Sequence, residues 1–430
     1  MIDMSGPTPR FRAEPPTRKE RQAPTMTTTT STPGASDPLP FPAPRGGCPF
    51  APAPAYETAR DELPLTQVTL YDGRKAWLIT RHADARFVLS DPRFSADVRT
   101  PGFPMANERQ RFLLQGEPSF VRMDAPEHTR QRGMLTKWFT ARRIREMRPK
   151  IQSFADARID RIAPRGQAEL VEEFALPLSS LVICDILGVP YEDHAYFERT
   201  SQAMLRWNAT QDETLAAWTD LHDYLQRLAV SKLRTPDDRV VSLLVERADL
   251  THSEVASMCR TLLVAGHDTT AEAIAMSVAA LLREPEKAAE LRAHPERYAE
   301  AAAELLRYLS PVGHHGVGRV ATEDVVIDGR TIRAGEGALV VLPAANRDGR
   351  VWENAGELLG GEPGSTASHI ALGYGPHYCL GASLARLEIE IALETLFRRL
   401  PRLRLAVPFE ELAFREPASV HGLKELPVRW

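Results

Sequence analysis

Ala371-Leu-Gly-Tyr-Gly-Pro-His-Tyr-Cys-Leu-Gly-Ala382 gathers three glycines and a proline around a single cysteine, Cys379. An apolar stripe of helical spacing follows at Leu380, Leu384, Leu387 and Ile391, with Glu394 and Arg398 set to pair on the outer face. The cysteine therefore directly precedes a helix, where unpaired N–H groups and the helix dipole stabilise a thiolate. Gly373, Gly375 and Gly381 would let the backbone approach a flat, bulky group without a Cβ in the way. A lone cysteine is more often a buried residue in a turn. The spacing G-x-G-x-H-x-C-x-G outweighs that reading.

Outward from this loop, the other cysteines constrain the compartment. Cys48, Cys184 and Cys259 lie far apart and form no C-x-x-C pair, so neither a disulfide scaffold nor a tetrahedral zinc site has spacing to support it. With 43% hydrophobic and 26% charged residues, the chain has the composition of an ordinary globular protein, which excludes collagen-like and wholly disordered classes. A net charge of −4, from 53 basic against 57 acidic side chains, gives no reason to expect nucleic acid or an anionic membrane as a partner of the whole chain. Arg10, Arg12, Arg18, Lys19 and Arg21 have no apolar run behind them, so the N-terminus does not read as a signal peptide. The longest apolar stretch, Ala273 to Leu282, is about half of what a bilayer requires. These features predict a cytoplasmic enzyme with reduced thiols.

Length alone, at about 150 residues per domain, suggests roughly three domains. Proline distribution argues otherwise. Residues 1–44 hold 10 of the 34 prolines and the run Thr27–Thr30, with almost no apolar periodicity, so 1–45 reads as a disordered Pro/Thr-rich extension. Met26, just before the threonines, is a candidate physiological start. No second linker follows, and 46–430 reads as one large domain. Alternation around Asp72-Gly73 (Val68–Tyr71, Ala76–Ile79) and Asp328-Gly329 (Val325–Ile327, Thr331–Ile332) predicts two hairpins, and Ala338–Leu342 an apolar strand. Leu262, Leu263, Gly266, Thr270, Ile274 and Leu281 mark a long helix over about 252–283, closed by Glu284-Pro285. The predicted class is mainly α with a small β-sheet region.

One cysteine with no second ligand nearby suits a haem iron, which needs a single axial protein ligand. Here the chain resembles a known family: over residues 48–430 it is similar to the bacterial, actinomycete-like cytochromes P-450, haem–thiolate monooxygenases. The resemblance implies the cytochrome P-450 fold and haem b, with Cys379 as the axial iron ligand and His377 bonded to a haem propionate. Gly373 and Gly381 would lie against the cofactor. Leu372 stands where the family usually has phenylalanine.

Further motifs agree in order. Ala265-Gly-His-Asp-Thr-Thr270 puts a glycine, an acid and two threonines inside an apolar helix, where each lowers helix stability. The resemblance makes Thr269 the threonine that hydrogen-bonds bound oxygen and Asp268 the acid that relays protons to it. Glu304-Leu-Leu-Arg307 resembles the buried pair that holds the cysteine loop, a structural role; Glu357 falls where many members supply a further arginine. His128 and Arg132, four apart on one helical face, and Arg319 resemble the propionate ligands. By position, Phe103, Met105, Phe112, the region Met204 to Trp207, the stretch Leu263 to Gly266, the stretch Val312 to Val317 with His314, and the turn at Ala418–Val420 would line a pocket for a lipophilic small molecule.

Nine basic residues between Arg122 and Lys150, against Asp124, Glu127 and Glu146, predict a cationic surface. In the family this region meets an acidic electron-transfer protein. The chain has no dinucleotide fingerprint and no flavin or ferredoxin module. A separate ferredoxin and ferredoxin reductase, drawing electrons from NAD(P)H, are therefore expected, with O2 as co-substrate and the enzyme a monomer. The implied reaction is hydroxylation or epoxidation of a secondary metabolite or xenobiotic. Alternatives in the same fold are a nitric-oxide reductase, which lacks the acid before the threonine, and a peroxygenase, which carries an arginine there. A non-catalytic haem or carrier-protein-binding module is the alternative of a different class.

Overall fold

A helix of 32 residues, His252–Arg283, is the element against which the others pack. Thr251 opens it: its Oγ1 accepts from the Glu254 N–H at 3.1 Å, and the Glu254 carboxylate accepts from the Thr251 N–H at 2.8 Å. This reciprocal pair satisfies two donors that a helix start leaves without partners. Pro285 then begins the next helix, Pro285–Ala293, and has no N–H with which to extend the first. The span matches the one predicted from periodicity. Helices Leu176–Leu187, Gln211–Lys232, Tyr298–Leu309 and Ala382–Arg399 surround it, and their leucines, isoleucines and alanines form one continuous apolar core. Each fully buried leucine or isoleucine contributes about 1.5–3 kcal/mol relative to exposure. This burial, rather than helix propensity, holds the helices in place.

The computed structural model describes residues 39–107, 119–193, 196, 199–200, 210–247, 249–360, 368–415 and 420–430. The predicted disordered extension falls almost wholly outside this set. Strands β1 (Leu65–Thr69), β2 (Lys75–Ile79), β3 (Phe94–Ser95), β5 (Val317–Ala321) and β8 (Gly337–Val340) form a five-stranded sheet in the order β1-β2-β8-β5-β3. Only the β2–β8 pairing is parallel. A second sheet pairs β4 (Gln167–Glu169), β10 (Pro427–Arg429) and β9 (Arg404–Leu405) in the order β4-β10-β9. The strands β6 (Val325–Ile327) and β7 (Arg330–Ile332) form a separate hairpin.

Both predicted hairpins are present. In the second, Asp328 and Gly329 both have positive φ (47° and 73°), as a two-residue turn matching strand twist requires. The strand predicted to reach Leu342 stops at Val340, and Leu342–Ala345 is a short helix with Pro343 near its start. Proline cannot donate to a sheet ladder but fits the first turn of a helix. The pairs β3, β4, β9 and β10 went unpredicted because two or three residues are too few to show alternation. Among the described residues no helix is long and apolar enough to cross a membrane.

Candidate functional site

The loop before Ala382–Arg399 turns twice through glycine. Gly373 and Gly375 have φ of 78° and 71°, a region L side chains rarely adopt. A Cβ at Gly375 would also lie 2.7 Å from the Leu89 carbonyl oxygen, so only glycine lets the loop rest on helix His82–Ser90. The Cys379 N–H donates to the Leu372 carbonyl at 2.8 Å, and the Cys379 carbonyl accepts from Ala382 N–H at the helix start. A side chain at Gly381 would sit beside the sulfur, its Cβ 4.0 Å from Sγ. Burial pushes the Cys379 thiol up; the Gly381 N–H and the Arg132 and Arg386 guanidiniums draw it back toward the thiolate.

Beside the loop stand positively charged and imidazole groups that form no ion pair among the described residues; Asp124 is the nearby acid, acting on His128 and Arg319. The His128 and His377 rings are 4.2 Å apart, and Arg132 donates to the Tyr378 carbonyl at 2.5 Å. Arg319, buried on β5, bonds only the carbonyl of Gly318 at 2.8 Å and pairs with no carboxylate among the described residues. Burial and then Arg122 lower Arg319 to about 10; burial, then Arg319, His128, Arg132 and Arg122 hold His377 down at about 3. His128 is likewise lowered by burial and by Arg132, and its Nε2 is buried without a hydrogen-bond partner. Mutual destabilisation of this kind is relieved by anions. The set fits a group carrying two carboxylates, as the propionates of haem would supply.

Across from this cluster, helix His252–Arg283 is buried from Val255 to Leu281 except at Thr261, Val264, Ala265, Gly266 and Thr269. Thr261, Ala265 and Thr269 are four apart, so one face opens in the middle of an otherwise enclosed helix. Thr269 Oγ1 donates to the Ala265 carbonyl at 2.5 Å, the back-bond expected of a threonine inside a helix. Asp268 turns the other way, accepting from Arg415 Nη1 at 2.9 Å. Arg415 Nη2 also lies 2.6 Å from the carboxylate of Glu272. Neither Arg415 nor Glu272 was anticipated. Glu272 stands four residues after Asp268, which is a readable signal; nothing in the sequence around Arg415 points to it.

Glu304 and Arg307 form a two-pronged pair, 2.7 Å at each contact, with side chains only 5% and 3% exposed. The place expected for a third arginine is filled by main chain. Arg307 donates to the carbonyls of Asn346 (2.8 Å), Ala355 (2.9 Å) and Glu357 (3.2 Å). Asn346 in turn accepts from the Ile370 N–H at 2.8 Å, which ties this network to the segment entering the cysteine loop.

Met105, Val312 and Val317 are half-buried, and Val312 bridges to Val420 of the tail. Within the predicted stretch Leu263 to Gly266, Leu263 is a correction: it is fully buried in the main core, while Val264, Ala265 and Gly266 of the same stretch are not buried. Phe103 is also core, its ring against Gly318 of β5. Gly266 packs toward Ile183, and His314 is buried with Nε2 unpartnered. Phe112, Met204, Trp207 and Ala418 lie outside the described residues. The cationic surface is smaller than composition suggests. Arg130, Arg142, Arg143, Arg148 and Lys150 are ion-paired with Glu254, Glu146, Asp238, Glu390 and Asp185, which leaves Lys137 and Arg145 exposed and unpaired among the described residues.

A family profile described as Cytochrome P-450 matches residues 67–404. Cytochrome P-450-SU2 of Streptomyces griseolus is 51% identical over 92% of this chain and 98% of its own length. Pentalenic acid synthase of Streptomyces avermitilis is 44% identical over 92% and 98%. The crystal structure of GfsF superimposes with a TM-score of 0.85 at 40% identity, covering 90% of this chain and 98% of that one. The chain belongs to the cytochrome P-450 family. It is a haem-dependent monooxygenase.

Proposed function

We propose that Cys379 is the axial thiolate ligand of haem b, that His128, Arg132, Arg319 and His377 hold its propionates, and that Asp268 and Thr269 deliver protons. The observation that carries this reading is the unpaired cationic cluster beside a cysteine loop, with the buried, partnerless Nε2 of His128 inside it. When bound, haem supplies the oxidising power that uses O2 to insert one oxygen atom into a C–H or C=C bond. The chain's own part is placement and proton supply. Gly373 and Gly381 leave room for a flat group, and the guanidiniums and imidazoles fix its orientation through the two carboxylates. Asp268 places its carboxylate, held by Arg415, next to Thr269, whose hydroxyl can leave the Ala265 carbonyl and donate toward the open face of the helix.

A lipophilic substrate is supported by apolar residues that are not fully buried: Val264 and Ala265 on the open face of the central helix, and Val312 and Val317 before and at the start of β5. Electrons would come from NAD(P)H through a separate ferredoxin reductase and ferredoxin, with Lys137 and Arg145 available to meet an acidic partner. A cytoplasmic location is consistent with four free cysteines. The test is the carbon-monoxide difference spectrum of the reduced, haem-loaded protein. Thiolate ligation gives a strongly red-shifted Soret band. A wild-type protein without that band, or a Cys379→Ser variant that keeps it, overturns the assignment.

A further inference from the structure

Asp268 and Glu272 are four apart on the central helix, so their carboxylates face the same way, in a region where Asp268 is 8% exposed and Glu272 0%. Like charges at this spacing repel, and burial increases the repulsion. One guanidinium sits between them. Arg415 donates from Nη1 to Asp268 Oδ1 at 2.9 Å and places Nη2 2.6 Å from Glu272 Oε1. Arg415 is itself fixed by its tail segment: its N–H donates to the Gly422 carbonyl at 2.9 Å and its Nε to the Leu423 carbonyl at 3.0 Å.

Glu272 is gripped by the same segment. Its Oε2 accepts from the Leu423 N–H at 2.9 Å, and Gly422 approaches so closely that a Cβ there would lie 1.8 Å from that oxygen. The charged groups facing Glu272 are Asp268 from its own helix, Arg415 from the tail and Glu169 from β4; His267 adds a neutral imidazole next to Asp268. Two buried acids thus share a single cation.

We infer that Arg415 and Glu272 are positioning residues for Asp268, a three-membered unit in which one guanidinium from the tail holds two carboxylates of the central helix. This rests on the reading of Asp268 as the relay acid. Burial, opposed by Arg415 and reinforced by Asp268, raises Glu272 to about 8, so the proton is present at neutral pH. Above that pH the second carboxylate ionises and competes for Arg415, loosening its hold on Asp268.

Two readouts test the unit, one of them independent of turnover. In infrared titration of glutamate-labelled protein, one buried protonated carboxyl should disappear near pH 8, and Glu272→Gln should lack it. Glu388, also buried and with its carboxyl pushed well above the usual range by burial, is the control: any band it contributes is removed by Glu388→Gln and not by Glu272→Gln. In the haem-loaded enzyme driven by NAD(P)H with a plant-type ferredoxin and its reductase, oxygen consumption should show an inflection near pH 8. Glu272→Gln and Arg415→Lys should abolish the inflection, enlarge the solvent deuterium isotope effect and slow the rate by about ten-fold. Asp268→Asn should cost more, about a hundred-fold, as loss of a general acid does. Glu272→Gln keeps an acceptor for the Leu423 N–H, so it carries the test even where Arg415→Lys does not fold. A Glu272→Gln protein with the wild-type titration and pH profile overturns the inference. If Asp268→Asn is itself without effect, the relay reading falls instead.

Discussion

Replacing Arg307 with alanine should unfasten the cysteine loop from a distance. The guanidinium makes five hydrogen bonds: two to Glu304 and three to the carbonyls of Asn346, Ala355 and Glu357. Removing it leaves the Glu304 carboxylate, 5% exposed, without a counter-charge. Breaking a buried pair in this way costs about 3–5 kcal/mol. The three stranded carbonyls add to that, though less than additively because they share one donor. Against a total stability of about 5–15 kcal/mol this is a large fraction. With a urea slope of about 3 kcal/mol per molar, the unfolding midpoint should fall by more than about 1 M. The assay is urea unfolding followed by tryptophan fluorescence, with haem content measured in parallel. Glu304→Leu combined with Arg307→Leu should cost less than the two single changes summed, since no lone charge remains. An Arg307→Ala protein with the wild-type midpoint and full haem content, or strict additivity in the double variant, would refute the account.

Three further outcomes are expected. His128→Phe should remove a buried donor for a propionate worth about 1.5–3 kcal/mol, so haem should transfer to apomyoglobin about 10- to 100-fold faster than from the wild type. Unchanged transfer would exclude His128 from the cradle. Gly375→Ala, at a φ of 71° and with its Cβ 2.7 Å from the Leu89 carbonyl, should lower thermal stability by at least about 1 kcal/mol. The contribution of Glu272 to stability, with a pKa raised from 4.5 to about 8 on folding, is complete below 4.5 and is lost as pH rises through about 8. Glu272→Gln should therefore flatten the decline in stability over that range, and an unchanged slope would contradict the raised value.

The long helix, both hairpins and the cysteine loop were legible in the sequence because each has a strong local cause. A capping box and a following proline bound the helix, Asp-Gly turns bound the hairpins, and glycines with positive φ shape the loop. What escaped reading depends on contacts made across the chain. Arg415 is one arginine among many until the tail brings it against Asp268, 147 positions earlier. Within Leu263 to Gly266, periodicity cannot show that Leu263 turns into the core while Val264 and Ala265 stay open, because apolar residues flank both sides. Most of the arginines between Arg122 and Lys150 lose their apparent excess charge to acids such as Glu254 and Glu390, which lie far away in sequence.

The carbonyls that receive Arg307 carry a consequence for how this protein tolerates change. A main-chain oxygen presents the same acceptor whatever side chain it accompanies. Ala355 and Glu357 can therefore be exchanged for other residues without weakening the grip on Arg307, provided the path of the backbone is kept. Insertions or deletions between Asn346 and Glu357 move the acceptors themselves. The segment should accordingly be permissive to substitution and intolerant of changes in length, the reverse of what a side-chain partner would impose.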